Sequence, residues 1–559
     1  MIKELKSEIQ SYVNKRLSEI YSLEFNTVIE NPKNPQLGDL AIPSFSLCKV
    51  LKKSPVECAE VIKGILLELD YFSSVECVGA YVNAKYSRTH LSEKVLKNLS
   101  FEKAESNGQT VCIDYSSPNI AKPFSIGHLR STIIGQSLGN VLDYKGYKVV
   151  RIDHLGDFGT QFGKLIYAFK NWGNMDDVLK DPINTLVGLY VKFNQLAEEN
   201  PALDDEARKI FKELEEGNKE YRELWNTFKN YSLKEFMRMY ELLNVHFDKF
   251  SSEAEASRKS EYIINELKSK GLLVEDQGAQ VVFLSDPLPP AIIQKSDGST
   301  LYITRDLQEV WDRYHEFKFD KMLYCVGNEQ KLYFNQVKEV LAKMDAPFAS
   351  GVSHVAFGLI LRDGKKMSTR TGTAVKLEDV LNESIRLAKA HIEEKNPNLE
   401  GKDEIATKIG VSAIIFNDLK NFRENEYEFD LESATRFEGQ TGPYIEYTSV
   451  RIGSILDSAK FDPSKIDYSL YENEIMFEIV KKIDEFSDVL DKVVEEYAPH
   501  YLAKYLLQLS TLFNSFYAKE RVLIDDEVER NTKLNLLKGI KNTIDKGLTL
   551  LNMSVLEKM

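Results

Sequence analysis

A strand that hands over to a helix through a short loop constrains this chain more than any other stretch. Thr110–Ser116 (TVCIDYS) reads as a buried strand and Ser117–Pro123 (SPNIAKP) as a loop. From Gly127 the apolar residues Leu129, Ile133, Ile134, Leu138 and Val141 recur at helical spacing, up to a stop at Gly146. Gly127 and His128 therefore stand at a helix N-terminus that faces the end of a strand. Free backbone N–H groups and the positive end of the helix dipole favour an anion there. A glycine lets a flat ligand approach the backbone, and a histidine one residue later can donate to a phosphate.

A second stretch adds weight. Gly364-Lys365-Lys366-Met367-Ser368-Thr369-Arg370-Thr371-Gly372 has glycine at both ends, with cations and hydroxyls between. Such a segment can neutralise the charge that develops when a pyrophosphate leaves.

Around these stretches the chain divides into three parts. Residues 1–105 read as an α+β unit, with helical patterns at Ile2–Leu23, Ala59–Leu69 and His90–Leu99 and a strand-like run at Val75–Val82. From 106 to 385 strands and helices alternate, with strands expected at Tyr147–Ile152, Gln280–Leu284, Lys321–Val326 and His354–Leu361. Alternation implies a parallel α/β sheet that binds ligands at its strand C-termini. A charged helical insertion is expected near 185–245. From 386 to 559 strands are expected to vanish, and Tyr501–Tyr517 and Leu534–Leu551 show the spacing of a helical bundle.

Bulk properties exclude several classes. No apolar run reaches the roughly 18–20 residues that span a bilayer. The N-terminus, MIKELKSEIQSYVNKRL, is a charged amphipathic helix pattern without a signal-peptide core, so a cytoplasmic location is expected. The five cysteines (Cys48, Cys58, Cys77, Cys112, Cys325) are scattered without CxxC spacing, which argues against a disulfide framework and a zinc site. A net charge of −14 argues against a general nucleic-acid footprint, although an acidic body can carry local basic surface.

The motifs together resemble the two signatures of class I aminoacyl-tRNA synthetases, and more narrowly the arginyl-tRNA synthetase family. Ser116–Phe124 (SSPNIAKPF), Gly156–Gly163 (GDFGTQFG), Tyr302–Asp306 (YITRD) and Gln440–Tyr447 (QTGPYIEY) carry the resemblance in the family's order. It implies a Rossmann-like catalytic domain between an N-terminal domain that contacts the outer corner of tRNA and an all-α domain that reads the anticodon. It also implies two reactions: arginine and ATP give arginyl-adenylate, and the arginyl group then passes to the tRNA 3′ end. L-Arginine, ATP and tRNA(Arg) are the partners so implied, with Mg2+ arriving on the ATP phosphates and the protein acting as a monomer.

Residue by residue, the resemblance places ATP at Ser125, Gly127, His128, Lys366 and Met367. Catalytic roles fall to Lys122, Ser125, His128, Lys366, Ser368 and Arg370. Two departures matter. Ser125 stands where the family usually has its first histidine, a shorter donor. Thr369 replaces the second lysine of the later signature, and Lys122 occupies the place where many arginyl enzymes carry a compensating lysine. Arginine needs planar acceptors for its guanidinium and an acceptor for its α-amino group. Asp306 is the candidate carboxylate, Tyr302 one turn earlier a wall of the pocket, and Asn119 the α-amino ligand; Glu253 and Gln330 match further family contacts. His154 and Asp157 lie just past a strand end, on the ligand side or in a packing turn. For RNA the candidates are Tyr444, Tyr447 and Arg451, and Phe516, Tyr517 and Arg521. Aromatic and basic side chains stack on unpaired bases, but the same spacing suits core positions. The competing readings are a class I enzyme for another amino acid, an HxGH-type nucleotidyltransferase, and a synthetase-like paralogue that binds RNA without catalysis.

Overall fold

In a computed structural model, the protein is described at residues 2–32, 34–362, 364–367 and 375–559. Its centre is a five-stranded parallel sheet. In chain order the strands are β1 (Thr110–Asp114), β2 (Lys148–Leu155), β3 (Lys249–Ser252), β4 (Lys321–Tyr324) and β5 (Val352–His354). The spatial order is β5-β4-β1-β2-β3. The chain thus grows outward from β1 on one side, then crosses to build the other side. Between β1 and β4 lies the topological switch point, where sheets of this kind open a crevice for ligands.

Strand β1 is buried on both faces, with Val111, Cys112 and Ile113 fully inaccessible, as a central parallel strand covered by helices requires. Helix α1 (Ile126–Tyr144) returns across the sheet and buries Leu129, Ile133, Leu138 and Val141. Gly135 permits the close approach, because a Cβ there would fall 2.3 Å from the Tyr115 ring.

Between β2 and β3 the chain runs through five helices, Thr160–Trp172, Met175–Lys180, Pro182–Glu199, Ala202–Glu216 and α2 (Lys219–Leu242). Helix α3 (Tyr302–Phe317) precedes β4. The N-terminal unit has an antiparallel sheet of Leu40–Pro43, Tyr81–Tyr86 and Phe72–Val78, with Tyr81–Tyr86 in the middle. It packs against helices that bury Ile9, Val13 and Ile62. At the other end, α4 (Gly442–Ser458), α5 (His500–Lys519) and α6 (Glu527–Leu550) join two shorter helices in a bundle.

Several strand expectations need correction. The run Val75–Val82 is the turn region of a hairpin: Phe72–Val78 ends, Gly79 adopts φ +60°, and Tyr81–Tyr86 begins. Ala279–Val282 belongs to a separate three-stranded antiparallel sheet, not to the parallel one. The expected strand His354–Leu361 breaks in two, because Ile360–Arg362 leaves the parallel sheet to pair with Lys365–Lys366 and Tyr427–Glu428. Strands therefore do not vanish at 386. Lys249–Ser252, unrecognised in the sequence, is the fifth parallel strand: it is short and followed at once by a helix, so its alternation is too brief to read.

Candidate active site

A cavity of about 560 Å³ opens at the C-terminal ends of β1, β2 and β4. Asn119, Gly127, His128, Glu253, Tyr302, Asp306 and Gln330, seven residues expected from the motifs, line it together. They come from five separate chain segments, and the switch point brings them to one place.

The loop after β1 is held in an unusual backbone. Ser116, Ser117 and Ala121 have φ of +72°, +48° and +59°, a region that costs a non-glycine residue roughly 1–2 kcal/mol. Each has its N–H anchored. Ser116 donates to Ser131 Oγ at 2.9 Å, Ser117 to Asp153 Oδ1 at 3.1 Å, and Ala121 to Ser232 Oγ at 3.0 Å. These bonds fix the loop so that Asn119 faces Gly156 across a bridge, and a Cβ on Gly156 would lie 2.3 Å from Asn119 Oδ1.

Ser125 caps α1. Its backbone N–H donates to His128 Nδ1 at 3.0 Å, and its hydroxyl lies 3.2 Å from the same nitrogen. Accepting at Nδ1 leaves Nε2 as the ring's N–H donor. Burial, together with the positive charge of Lys122, pushes the His128 pKa down to about 4, so the ring is neutral near pH 7. Lys122 is exposed but close enough for its charge to act on His128. Ser125 is not among the residues that line the cavity; it sits behind His128 and orients it. Gly127 is exposed, and a Cβ there would meet nothing nearer than Ser125 Oγ at 3.4 Å. The protein's own packing does not require a glycine at that point.

The acidic half of the cavity lies on one face of α3. Tyr302, Asp306, Glu309 and Arg313 succeed one another at helical spacing. Tyr302 is 63% exposed at the mouth, where the Arg305 guanidinium stacks on it at 4.5 Å. Burial pushes the Asp306 carboxyl up, while a hydrogen bond from the Tyr333 hydroxyl opposes that shift. Glu309 is buried too, yet Arg313 at 2.9 Å and His154 at 3.0 Å hold it down to about 2. Burial would lower the His154 pKa, but Glu309 raises it to about 9. Arg313 also reaches Asp114 at 2.7 Å. Glu309 and Asp114 are thus already paired, whereas among the described residues Asp306 and Glu253 form no ion pair. Burial pushes Glu253 up to about 6. Two carboxylates without an ion-pair partner among the described residues, in a cavity of this size, suit a cationic ligand. The three residues His154, Asp306 and Glu309 bring possible metal-ligand atoms within 4.8 Å of one another, but Glu309 and His154 are already paired with each other and Glu309 with Arg313.

Other expectations meet a different outcome. Met367 is 7% exposed and packs in the hydrophobic core, away from the lining of the cavity; its N–H bonds Ile360 O at 3.2 Å. Lys366 ends the short strand that pairs with Ile360–Arg362. Ser368, Thr369 and Arg370 lie outside the described residues. His154 lines the cavity, but Asp157 does not: it turns inward, 1% exposed. Glu309, Arg313 and Tyr333 were missed. The first two continue the helical stripe of Tyr302 and Asp306, a signal the sequence carries; Tyr333 arrives from another helix and carries none.

In the bundle, Tyr444, Tyr447 and Arg451 line a second cavity of about 560 Å³, with His391, Phe437, Asn514 and Met559. Arg451 stacks on Tyr517 at 4.4 Å, and Arg521 is exposed nearby, sharing a groove with Tyr517. Phe516 is a correction: it is fully buried in the bundle core and offers no face to a base.

Comparison with known proteins agrees along the whole length. Residues 90–431 match the family described as tRNA synthetases class I (R), catalytic domain. Residues 3–86 match the arginyl tRNA synthetase N terminal domain, and residues 445–559 the DALR anticodon binding domain. The chain is 44% identical over 546 residues to an arginine–tRNA ligase of Exiguobacterium sibiricum, covering 96% of each. It is 45% identical over 558 residues to arginine–tRNA ligase 1 of Bacillus cereus, covering 98% of this chain and 99% of that one. The fold matches the Thermus thermophilus arginyl-tRNA synthetase with a TM-score of 0.80 at 24% identity, over 99% of this chain and 100% of the other. The chain therefore belongs to the class I arginine–tRNA ligase family.

Proposed function

We propose that the protein ligates L-arginine to tRNA(Arg) at the expense of ATP. In the first step an arginine carboxylate oxygen attacks the α-phosphorus, the bond to the β-phosphate breaks, and pyrophosphate leaves. In the second, a ribose hydroxyl of the tRNA 3′ end attacks the activated carbonyl and releases AMP. Neither step asks the protein for a covalent bond; both need positioning and positive charge. Asp306 and Glu253 receive the cationic groups of arginine, with Asn119 and Gln330 as neutral partners. His128 donates from Nε2 to a phosphate, and the bare backbone at Gly127 admits the adenine. Lys122 supplies the cation that position 369 lacks, with Lys366 and Arg370 as further cations. Mg2+ accompanies the ATP phosphates and is held mainly by them.

One observation carries this reading: carboxylates with no ion-pair partner among the described residues and a neutral histidine donor line the same cavity, the first suited to a guanidinium and the second to a phosphate. Tyr444, Tyr447 and Arg451 line the cavity we assign to the tRNA anticodon. Among the described residues no helix is long and apolar enough to cross a membrane, and we place the protein in the cytoplasm as a monomer.

The test is aminoacylation with ATP, labelled arginine and matched tRNA. Charged arginyl-tRNA is the expected product. Charging with a different amino acid, or none with a competent tRNA, overturns the assignment. Lys122→Ala should slow adenylate formation by about 100-fold, the scale of one lost electrostatic partner, with an unchanged melting temperature.

A further inference from the structure

The helical insertion carries no recognisable motif, yet one face of α2 touches the loops that follow β1 and β2. Trp225, Lys229, Ser232, Phe236 and Tyr240 fall on a single stripe of the helix. Ser232 holds the Ala121 N–H at 3.0 Å, and Phe236 packs on Phe124 with ring centres 5.9 Å apart. Tyr240 donates to Asp153 at 2.8 Å and bonds Ser116 Oγ at 2.8 Å.

The most specific of these contacts converge on Asp157. Its carboxylate accepts from Lys229 Nζ at 2.7 Å, from Ser252 Oγ at 2.7 and 2.9 Å, and from the Ala254 N–H at 3.1 Å. Its carbonyl accepts from Trp225 Nε1 at 3.0 Å. Ser252 and Ala254 flank Glu253, so a carboxylate that is 1% exposed grips both sides of the residue that lines the cavity. Lys229 is the only cation paired with Asp157 among the described residues. A buried carboxylate deprived of its cation takes up a proton or moves, and either change loosens what it holds.

We propose that Lys229 and Asp157 are positioning residues for arginine: Lys229 fixes Asp157, and Asp157 fixes the turn that presents Glu253. The insertion is then a working part of the arginine site and not a spacer between the halves of the sheet. The inference rests on Glu253 being an arginine acceptor. Among the described residues neither side chain bonds to the first signature, so the effect is expected on arginine and not on ATP.

The test is steady-state aminoacylation by the full-length protein with arginine and ATP varied separately. Lys229→Met should raise the arginine KM at least fivefold and leave the ATP KM within twofold. An unchanged arginine KM, or a parallel rise in both, overturns the proposal. Where Lys229→Met fails to fold, the apolar double variant Asp157→Leu/Lys229→Met is judged by the same split, since it strands no charge yet still leaves Ser252 and Ala254 without their acceptor. Glu253→Gln separates the two layers. If it leaves the arginine KM unchanged, the assignment of Glu253 falls; if it raises that KM while the Lys229 variants do not, the positioning role alone falls.

Discussion

The backbone N–H of Ser125 points its hydrogen at His128 Nδ1, 3.0 Å away, and so decides which ring nitrogen carries the proton. A residue that stands in the place of a histidine thereby prepares the remaining histidine as a donor at Nε2. Because burial and Lys122 lower the His128 pKa from 6.5 to about 4, the rate of adenylate formation should show no break near pH 6.5 attributable to this ring. His128→Ala should reduce that rate by about 100- to 1000-fold. The same shift has a stability consequence. Between pH 6.5 and about 4 the unfolded chain binds a proton that the folded one refuses, so acidification through this window destabilises the fold. His128→Gln should show a shallower loss of melting temperature from pH 7 to 5 than the wild type.

Gly127→Ala separates packing from binding. The nearest atom to the added methyl is Ser125 Oγ at 3.4 Å, and alanine is the better helix former by roughly 1 kcal/mol. The variant should melt no lower than the wild type while its ATP KM rises at least threefold. A normal ATP KM would remove the adenine from this end of the helix.

Gly156→Ala should do the opposite. Its methyl would lie 2.3 Å from Asn119 Oδ1, so Asn119 must shift, at a cost typical of overpacking, about 1–3 kcal/mol. Arginine affinity should fall in calorimetric titration by about tenfold or more. Binding at wild-type strength would show that Asn119 is not an arginine ligand.

Glu253 makes arginine binding depend on pH. Its pKa is raised from 4.5 to about 6 by burial, so it is ionised at pH 7.5 and protonated at pH 5. A neutral carboxyl attracts a cation poorly, and the arginine KM should climb as pH falls through about 6. In Glu253→Gln that KM should be high already and change far less across the same interval. A wild-type arginine KM that is constant from pH 7.5 to 5 contradicts this account.

The parts of the site that were legible in the sequence are short motifs whose residue types are rare in combination, such as Asn119 in the loop SPNIAKP and Asp306 in YITRD, the start of α3. Local order suffices to see such motifs. Phe516 was misread because an aromatic at helical spacing looks the same in a bundle core as on its surface; only the packed partners decide. The insertion was opaque for another reason. Lys229 and Ser232 occupy inward positions of α2, where a periodicity argument looks for apolar residues, so the inner face of the helix read as charged surface. Strand Lys249–Ser252 was invisible because four residues that run straight into a helix leave no alternation to read.

The strand order also sets a schedule for synthesis. One edge of β1 pairs with β2, made soon after it, but its other edge waits for β4, which begins about two hundred residues later. At about 5–20 residues per second the ribosome needs roughly 10–40 s to supply that partner. Throughout that interval an apolar central strand presents an open edge, the kind that recruits other chains. Asp306, the carboxylate proposed above to receive arginine, is also made only near the end of this time, just ahead of β4. The switch point that creates the binding crevice is thus also the seam of the catalytic sheet whose two strands lie farthest apart in the chain.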